Sequence, residues 1–363
     1  MISNIASVDA KKPREYENIL IIKLSSLGDI CHALPSLTAL RNLYPHAKIS
    51  WAVNKPFADL LTDHPLLDEV IVIDQKAWTK GSVCDRYEYF KKLRGDLKKR
   101  QFDLVLDLQG LLKSSVIALM TGCKTRYGYW EMREGSWLVT KGIKGEHSQD
   151  HVIQRYLDVI RFLGSDVREP EFVLPDIDME RSKVDGWLRE AKEYVVIAPA
   201  TSWDTKEWSL DNYVQLTERL LKLNKLVVLV GGSSDVDKSA YITEQLKLRS
   251  PDKVDQIVDL TGRTTLKELM AVCKGAQLYI SGDTGPLHIA VATGVPIVAM
   301  YGPTMPHRTG PYVGKCGLGK TRILIGQAEC RPCRQKKCSK MDCMRSIDVD
   351  EVMTAAKYLL RED

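Results

Sequence analysis

No apolar run in this 363-residue chain reaches the ~20 residues that a membrane-spanning helix requires. The longest candidate, residues 289–301, is broken by Gly294 and Pro296. The first seventeen residues are polar and carry Lys11, Lys12 and Arg14 around no apolar centre, which argues against a secretory signal peptide. No helix-turn-helix, zinc-finger or RNP pattern accompanies the basic residues, so nucleic acid is not an expected partner. No Gly-x-Gly-x-x-Gly follows any predicted strand, which removes the main support for a dinucleotide-dependent oxidoreductase. Disorder is excluded by composition, since 44% of residues are hydrophobic and 27% charged. No segment closely repeats another.

What is present is a twofold alternation of short β-rich apolar runs with helical patterns, the mark of βαβ units and parallel sheets. Strands are expected at 19–24, 49–53, 69–73, 104–107 and 126–128, and helices at 34–43, 87–99, 113–120 and 151–163. Residues 164–175, with Pro170 and Pro175, form the expected linker. The pattern then restarts, with strands at 195–199, 226–230, 256–259, 277–281 and 296–300 and helices at 210–223, 236–247, 266–273 and 286–292. The length already favours two domains. The fold class is α/β, two Rossmann-like doubly wound domains (1–165 and 176–345) facing a central cleft. A terminal helix lies within 346–363 and is expected to pack back on the first half. The net charge of +5 is modest, but Lys91, Lys92, Arg94, Lys98, Lys99 and Arg100 crowd one helix. That suits either a solvated face or an anionic surface.

Four segments carry the chemistry. Residues 23–29 (KLSSLGD) run from a strand into a helix. Ser26 and Gly28 keep the turn small enough for a ligand to approach backbone NH groups, and Asp29 sits at the helix start. A helix N-cap alone would explain Asp29; as a general base it would be held ionised by the helix N-terminus. Residues 107–115 (DLQGLLKSS) repeat the strand–Gly–helix form and bring Gln109 and Lys113 to the same rim. Residues 199–208 (PATSWDTKEW) offer Thr201, Ser202 and Lys206 to a pyrophosphate, while Trp208 before Ser209 reads as a hydrophobic staple. Residues 281–288 (SGDTGPLH) turn through two glycines into a helix at Pro286. There Asp283, Thr284, Gly285 and His288 surround NH groups able to cradle a diphosphate.

In this order and spacing, the four segments closely resemble the bacterial lipopolysaccharide heptosyltransferases of glycosyltransferase family 9, from residue 19 to about residue 303. KLSSLGD together with LQGLLKS (108–114) is most similar to the enzymes that add the first heptose. The resemblance implies a GT-B fold and an inverting transfer from ADP-heptose to Kdo–lipid A that requires no cofactor or metal. It implies Asp29 as the base, and Lys206, Asp283, Thr284, Gly285 and His288 with Thr201 and Ser202 at the donor. Ser26, Gly28, Gln109 and Lys113 fall on the acceptor side. An acidic residue for the donor ribose falls near Asp235 or Asp237. The expected protein is a cytoplasmic monomer, peripheral at the inner membrane. A different nucleotide sugar, a later core acceptor, or a non-catalytic binding module are the alternatives.

Nine cysteines are many for such a chain. Cys31, Cys84, Cys123, Cys273 and Cys316 are scattered; Cys330, Cys333, Cys338 and Cys343 cluster with a spacing compatible with a four-thiolate structural metal, or with free, redox-labile thiols. Asp-x-Asp pairs occur at Asp176/Asp178, Asp235/Asp237 and Asp348/Asp350, the first and last ahead of predicted helices, where caps account for them.

Overall fold

The structure, a computed structural model, describes residues 5–6, 14–188, 191, 193–312 and 320–362. Lys11, Lys12 and Cys316 lie outside the described residues. The chain divides into two compact units, Met1–Asp176 and Ile177–Asp363.

The first unit holds strands β1 (Ile5–Ala6), β2 (Asn18–Ile22), β3 (Lys48–Asn54), β4 (Glu69–Ile73), β5 (Leu104–Asp107), β6 (Arg126–Tyr129) and β7 (Lys141–Ile143). Its helices are α1 (Leu27–Leu43), α2 (Lys76–Thr79), α3 (Val83–Lys99), α4 (Leu112–Met120) and α5 (Val152–Phe162). All strand pairs are parallel, in the order β1-β7-β6-β5-β2-β3-β4. The run Ile19–Ile22 of β2 is apolar and buried on both faces because helices cover a parallel sheet on both sides. The order reverses between β2 and β5, so the loops leaving these two strands diverge around a crevice where such sheets bind ligands. One loop carries residues 23–29 and the other residues 107–113.

Helix α1 begins seven residues before the expected start. Pro35 lies inside the helix. Nearly every residue from Gly28 to Leu40 is buried, and that packing outweighs the backbone hydrogen bond a proline cannot donate. β1 and β7 were not foreseen; two and three residues are too short to show a period.

The second unit holds β8 (Tyr194–Ala198), β9 (Leu226–Leu229), β10 (Ile257–Asp259), β11 (Leu278–Gly282), β12 (Ile297–Tyr301) and β13 (Thr321–Ile325). Its helices are α6 (Asp178–Trp187), α7 (Leu210–Lys222), α8 (Val236–Arg249), α9 (Leu266–Gly275), α10 (Gly285–Thr293), α11 (Pro306–Thr309), α12 (Asp342–Arg345) and α13 (Val349–Leu360). This sheet is also parallel, ordered β10-β9-β8-β11-β12-β13, and it reverses between β8 and β11. The two donor-side segments leave these two strands.

Trp208 is the staple its position implied. Ser209 caps α7 by accepting from Asn212 N at 3.2 Å, and the buried Trp208 ring meets Tyr213 edge-on at 5.0 Å. The indole N–H donates to Ile347 O at 2.8 Å. Terminal helix α13 places Val352, Met353, Ala355 and Ala356 in this same core, so it completes the second unit. Asp348 caps it, accepting from Glu351 N at 2.7 Å.

Candidate active site

In the first unit, Ser26 rather than Asp29 is the N-cap of α1. Asp29 is the third helical residue, and its Oδ2 accepts from Ser26 N at 3.0 Å and from Ser26 Oγ at 2.8 Å. The carboxylate is therefore held at a helix N-terminus by two donors from one residue. Gly28 lies buried in the same first turn. Gln109 ties the two turns together, since its Oε1 accepts from Leu24 N and Ser25 N, each at 3.0 Å. Lys113 Nζ donates to Ser25 Oγ at 3.1 Å. The four residues assigned to the acceptor side and Asp29 thus belong to adjoining strand ends joined by three hydrogen bonds.

Beneath them lies a buried polar layer that motif reading left without a role. Lys23 Nζ donates to Leu108 O at 2.8 Å and to Tyr156 Oη at 2.7 Å. Burial holds this ammonium below the usual lysine range, and the charges of Asp29 and Asp107 oppose that. Asp107 accepts from Gln109 N (3.0 Å), Gly110 N (2.9 Å) and Ser114 Oγ (2.9 Å). Burial pushes its carboxyl up to about 6, against those hydrogen bonds and Lys23. Lys113 is also lowered by burial, with Glu134 and Asp29 acting the other way. A cavity of about 690 Å³ opens on the same strand edge, lined by residues that include Asn54, Lys55, Lys76, Trp78 and Lys113. Lys55, Lys76 and Trp78 lie outside the four motifs.

In the second unit, Lys206 Nζ lies 2.7 Å from Asp283 Oδ2, which also accepts from Thr304 Oγ1 at 2.8 Å. The Lys206 ammonium stands 4.3 Å from the Trp203 ring centroid. Thr201 Oγ1 donates to Trp203 O at 2.8 Å, which shapes the turn, and Ser202 is exposed. Thr284 is the N-cap of α10; Gly285 is the first helical residue and Pro286 the second, one place later than expected. His288 is buried one turn into the helix. The first NH groups of such a helix lack intrahelical partners and aim at an anion. Gly282 has no room for a side chain, since a Cβ there would sit 3.0 Å from Lys206 O and 3.1 Å from Thr201 Cγ2. The two segments are therefore packed backbone to backbone. Asp235 closes its own turn by accepting from Gly232 N at 2.8 Å, and Asp237 lies exposed in the first turn of α8.

The clustered cysteines are dispersed in exposure. Cys343 is buried, Cys333 half-buried, and Cys330 and Cys338 exposed. Burial, with Cys330 and Cys333 nearby, holds the Cys343 thiol above its ordinary range. Among the described residues, no three His, Cys, Asp or Glu side chains form a group that could hold a metal ion. None of those residues forms a helix long and apolar enough to cross a membrane.

Two parallel α/β units of this kind, each with its motifs at the strand-order reversal, make up a GT-B-like glycosyltransferase fold. The chain belongs to glycosyltransferase family 9 (heptosyltransferase), whose model matches residues 90–344. It is 28% identical over 299 residues to the lipopolysaccharide core heptosyltransferase OpsX of Haemophilus influenzae, covering 82% of each chain. It is 27% identical to the lipopolysaccharide heptosyltransferase 1 of Pseudomonas aeruginosa, over 88% of this chain and 87% of that one. The solved structure of Escherichia coli heptosyltransferase WaaC with ADP superposes with a TM-score of 0.74 at 24% identity, over 94% of this chain and 99% of that one. The protein is a glycosyltransferase.

Proposed function

We propose that the chain transfers heptose from ADP-heptose to the Kdo–lipid A inner core of lipopolysaccharide, by a single inverting displacement that needs no metal. The observation that carries this reading is the occupancy of both strand-order reversals, by Asp29 with Lys113 in one unit and by Lys206 with the α10 N-terminus in the other. The relative named lipopolysaccharide heptosyltransferase 1, and the heptosyltransferase solved with ADP, support the donor and acceptor classes of this reading.

In the transfer, Asp29 accepts the proton of an acceptor hydroxyl while that oxygen bonds to the anomeric carbon. The bond from that carbon to the phosphate oxygen breaks, and ADP leaves with the electron pair. A diphosphate needs no protonation to leave, so one carboxylate suffices where a glycosidase uses two. The growing charge meets Lys206 and the NH groups of Thr284 and Gly285. The cavity beside Lys113 would take the acceptor sugar, with Lys55 and Lys76 facing its acidic groups. Peripheral attachment at the membrane would use the exposed basic face of α3, where Lys91, Lys92, Arg94, Lys98 and Lys99 lie.

Acceptor-dependent release of ADP from ADP-heptose, compared between the native enzyme and Asp29→Asn, tests the reading. Turnover should fall by at least ~10²-fold in the variant while ADP-heptose still binds. A fully active variant would leave Asp29 only its part in the helix cap. A native enzyme that releases no ADP would point to another donor or acceptor.

A further inference from the structure

We propose that Lys336, carried by the cysteine-rich segment between β13 and α12, is a second donor-phosphate-binding residue. The proposal rests on the reading of the second unit as a nucleoside-diphosphate site and extends its wall to a part of the chain that no donor motif covers.

Three observations lead there. First, Lys336 Nζ lies 5.1 Å from the centroid of Trp203, the same indole that Lys206 Nζ approaches at 4.3 Å. Two ammonium groups thus share one ring, and among the described residues Lys336 forms no ion pair. Second, the segment is fastened to the loops after β12 and β8 just ahead of this lysine. Arg331 donates from Nε to Gly302 O, from Nη1 to Gly326 O at 2.6 Å and from Nη2 to Thr304 O at 3.1 Å. Arg334 N donates to Pro303 O at 3.1 Å. Thr205, buried beside Lys206, donates from Oγ1 to Gln335 O at 2.7 Å. The residue preceding Lys336 is therefore tied to the residue preceding Lys206.

The third observation is the charge balance. Lys206 is matched by Asp283 at 2.7 Å, so that pair brings no net charge to a ligand. The α10 N-terminus contributes about half a positive charge. ADP gains a further negative charge as the glycosidic bond breaks, and a site without a metal must meet it with fixed cations. Lys336 supplies one that no carboxylate cancels. The bland alternative is a solvated lysine resting on an indole, a contact that would persist without any ligand.

The two readings separate by titration calorimetry with ADP and with AMP, on the native protein, Lys336→Gln, Lys336→Arg and Thr205→Val. A role at the outer phosphate predicts that Lys336→Gln weakens ADP by about tenfold and AMP far less. Lys336→Arg should recover most of the ADP affinity. Thr205→Val, which frees the Gln335 carbonyl, should shift ADP in the same direction as Lys336→Gln. The exposed side chain makes an unchanged melting temperature the expected control. Equal ADP affinity in native and Lys336→Gln protein would overturn the proposal and leave the donor site intact. A native protein that binds no ADP would instead remove the diphosphate reading, and the proposal with it.

Discussion

At the scale of single residues, the Asp29 carboxylate completes a helix cap and is the proposed base. Its Oδ2 takes both donors of Ser26, which fixes the side chain rotationally at the helix start. Sequence reasoning set a cap against a base; the geometry has the carboxylate closing the capping box while it stands at a ligand crevice. Lys206 is the counterpart on the donor side. Replacing it with alanine leaves Asp283 without its partner and should lower kcat/KM by ~10²-fold or more, measured by ADP release. Asp107 makes a different prediction. Its carboxyl is raised to about 6 from an ordinary 3.8, so the folded state favours the protonated form. Its stabilising contribution is fully present below the ordinary value and is lost as pH rises through about 6. Relative to Asp107→Asn, the native protein should lose roughly 3 kcal/mol between pH 4 and pH 7. Urea midpoints at several pH values would check this, and parallel curves would refute it.

At the scale of elements, the proposed donor site depends on two loops in close contact. Gly282→Ala forces a Cβ against Lys206 O and Thr201 Cγ2, so the loop holding Lys206 must shift. The expected result is a raised KM for the donor with a folded, still active protein, read from initial rates over a donor series. The α7 start is a second such joint. Trp208→Ala removes a buried ring that packs on Tyr213 and ties β8's loop to the segment before α13. A loss of about 3–5 kcal/mol in the second unit is expected from chemical denaturation. Both joints were visible in sequence as small-residue turns and a Trp-Ser pair. The backbone contact at Gly282 was not, because nothing local signals that two distant loops approach within van der Waals range.

At the scale of the whole molecule, two parallel sheets reverse strand order at β2/β5 and at β8/β11, and the four motifs follow those four strands. A metal-independent transfer predicts that EDTA leaves the rate unchanged; loss on chelation with rescue by Mg²⁺ would overturn the proposal that side chains and the α10 N-terminus alone meet the charge of the leaving group. Elemental analysis of fresh protein addresses the separate matter of Cys330, Cys333, Cys338 and Cys343. Sequence alone determined the parallel α/β class, the alternation in both halves and the residues of the four motifs, because buried parallel strands and Gly-rich turns leave a local signature. Only the tertiary structure decided that Pro35 lies inside a helix, that α13 completes the second unit's core, that Lys23 and Asp107 are buried beneath the turns they begin, and that Lys336 stands beside Trp203. Those outcomes depend on burial and on contacts between residues far apart in the chain, such as Lys23 with Tyr156 and Trp203 with Lys336, and no local pattern records them.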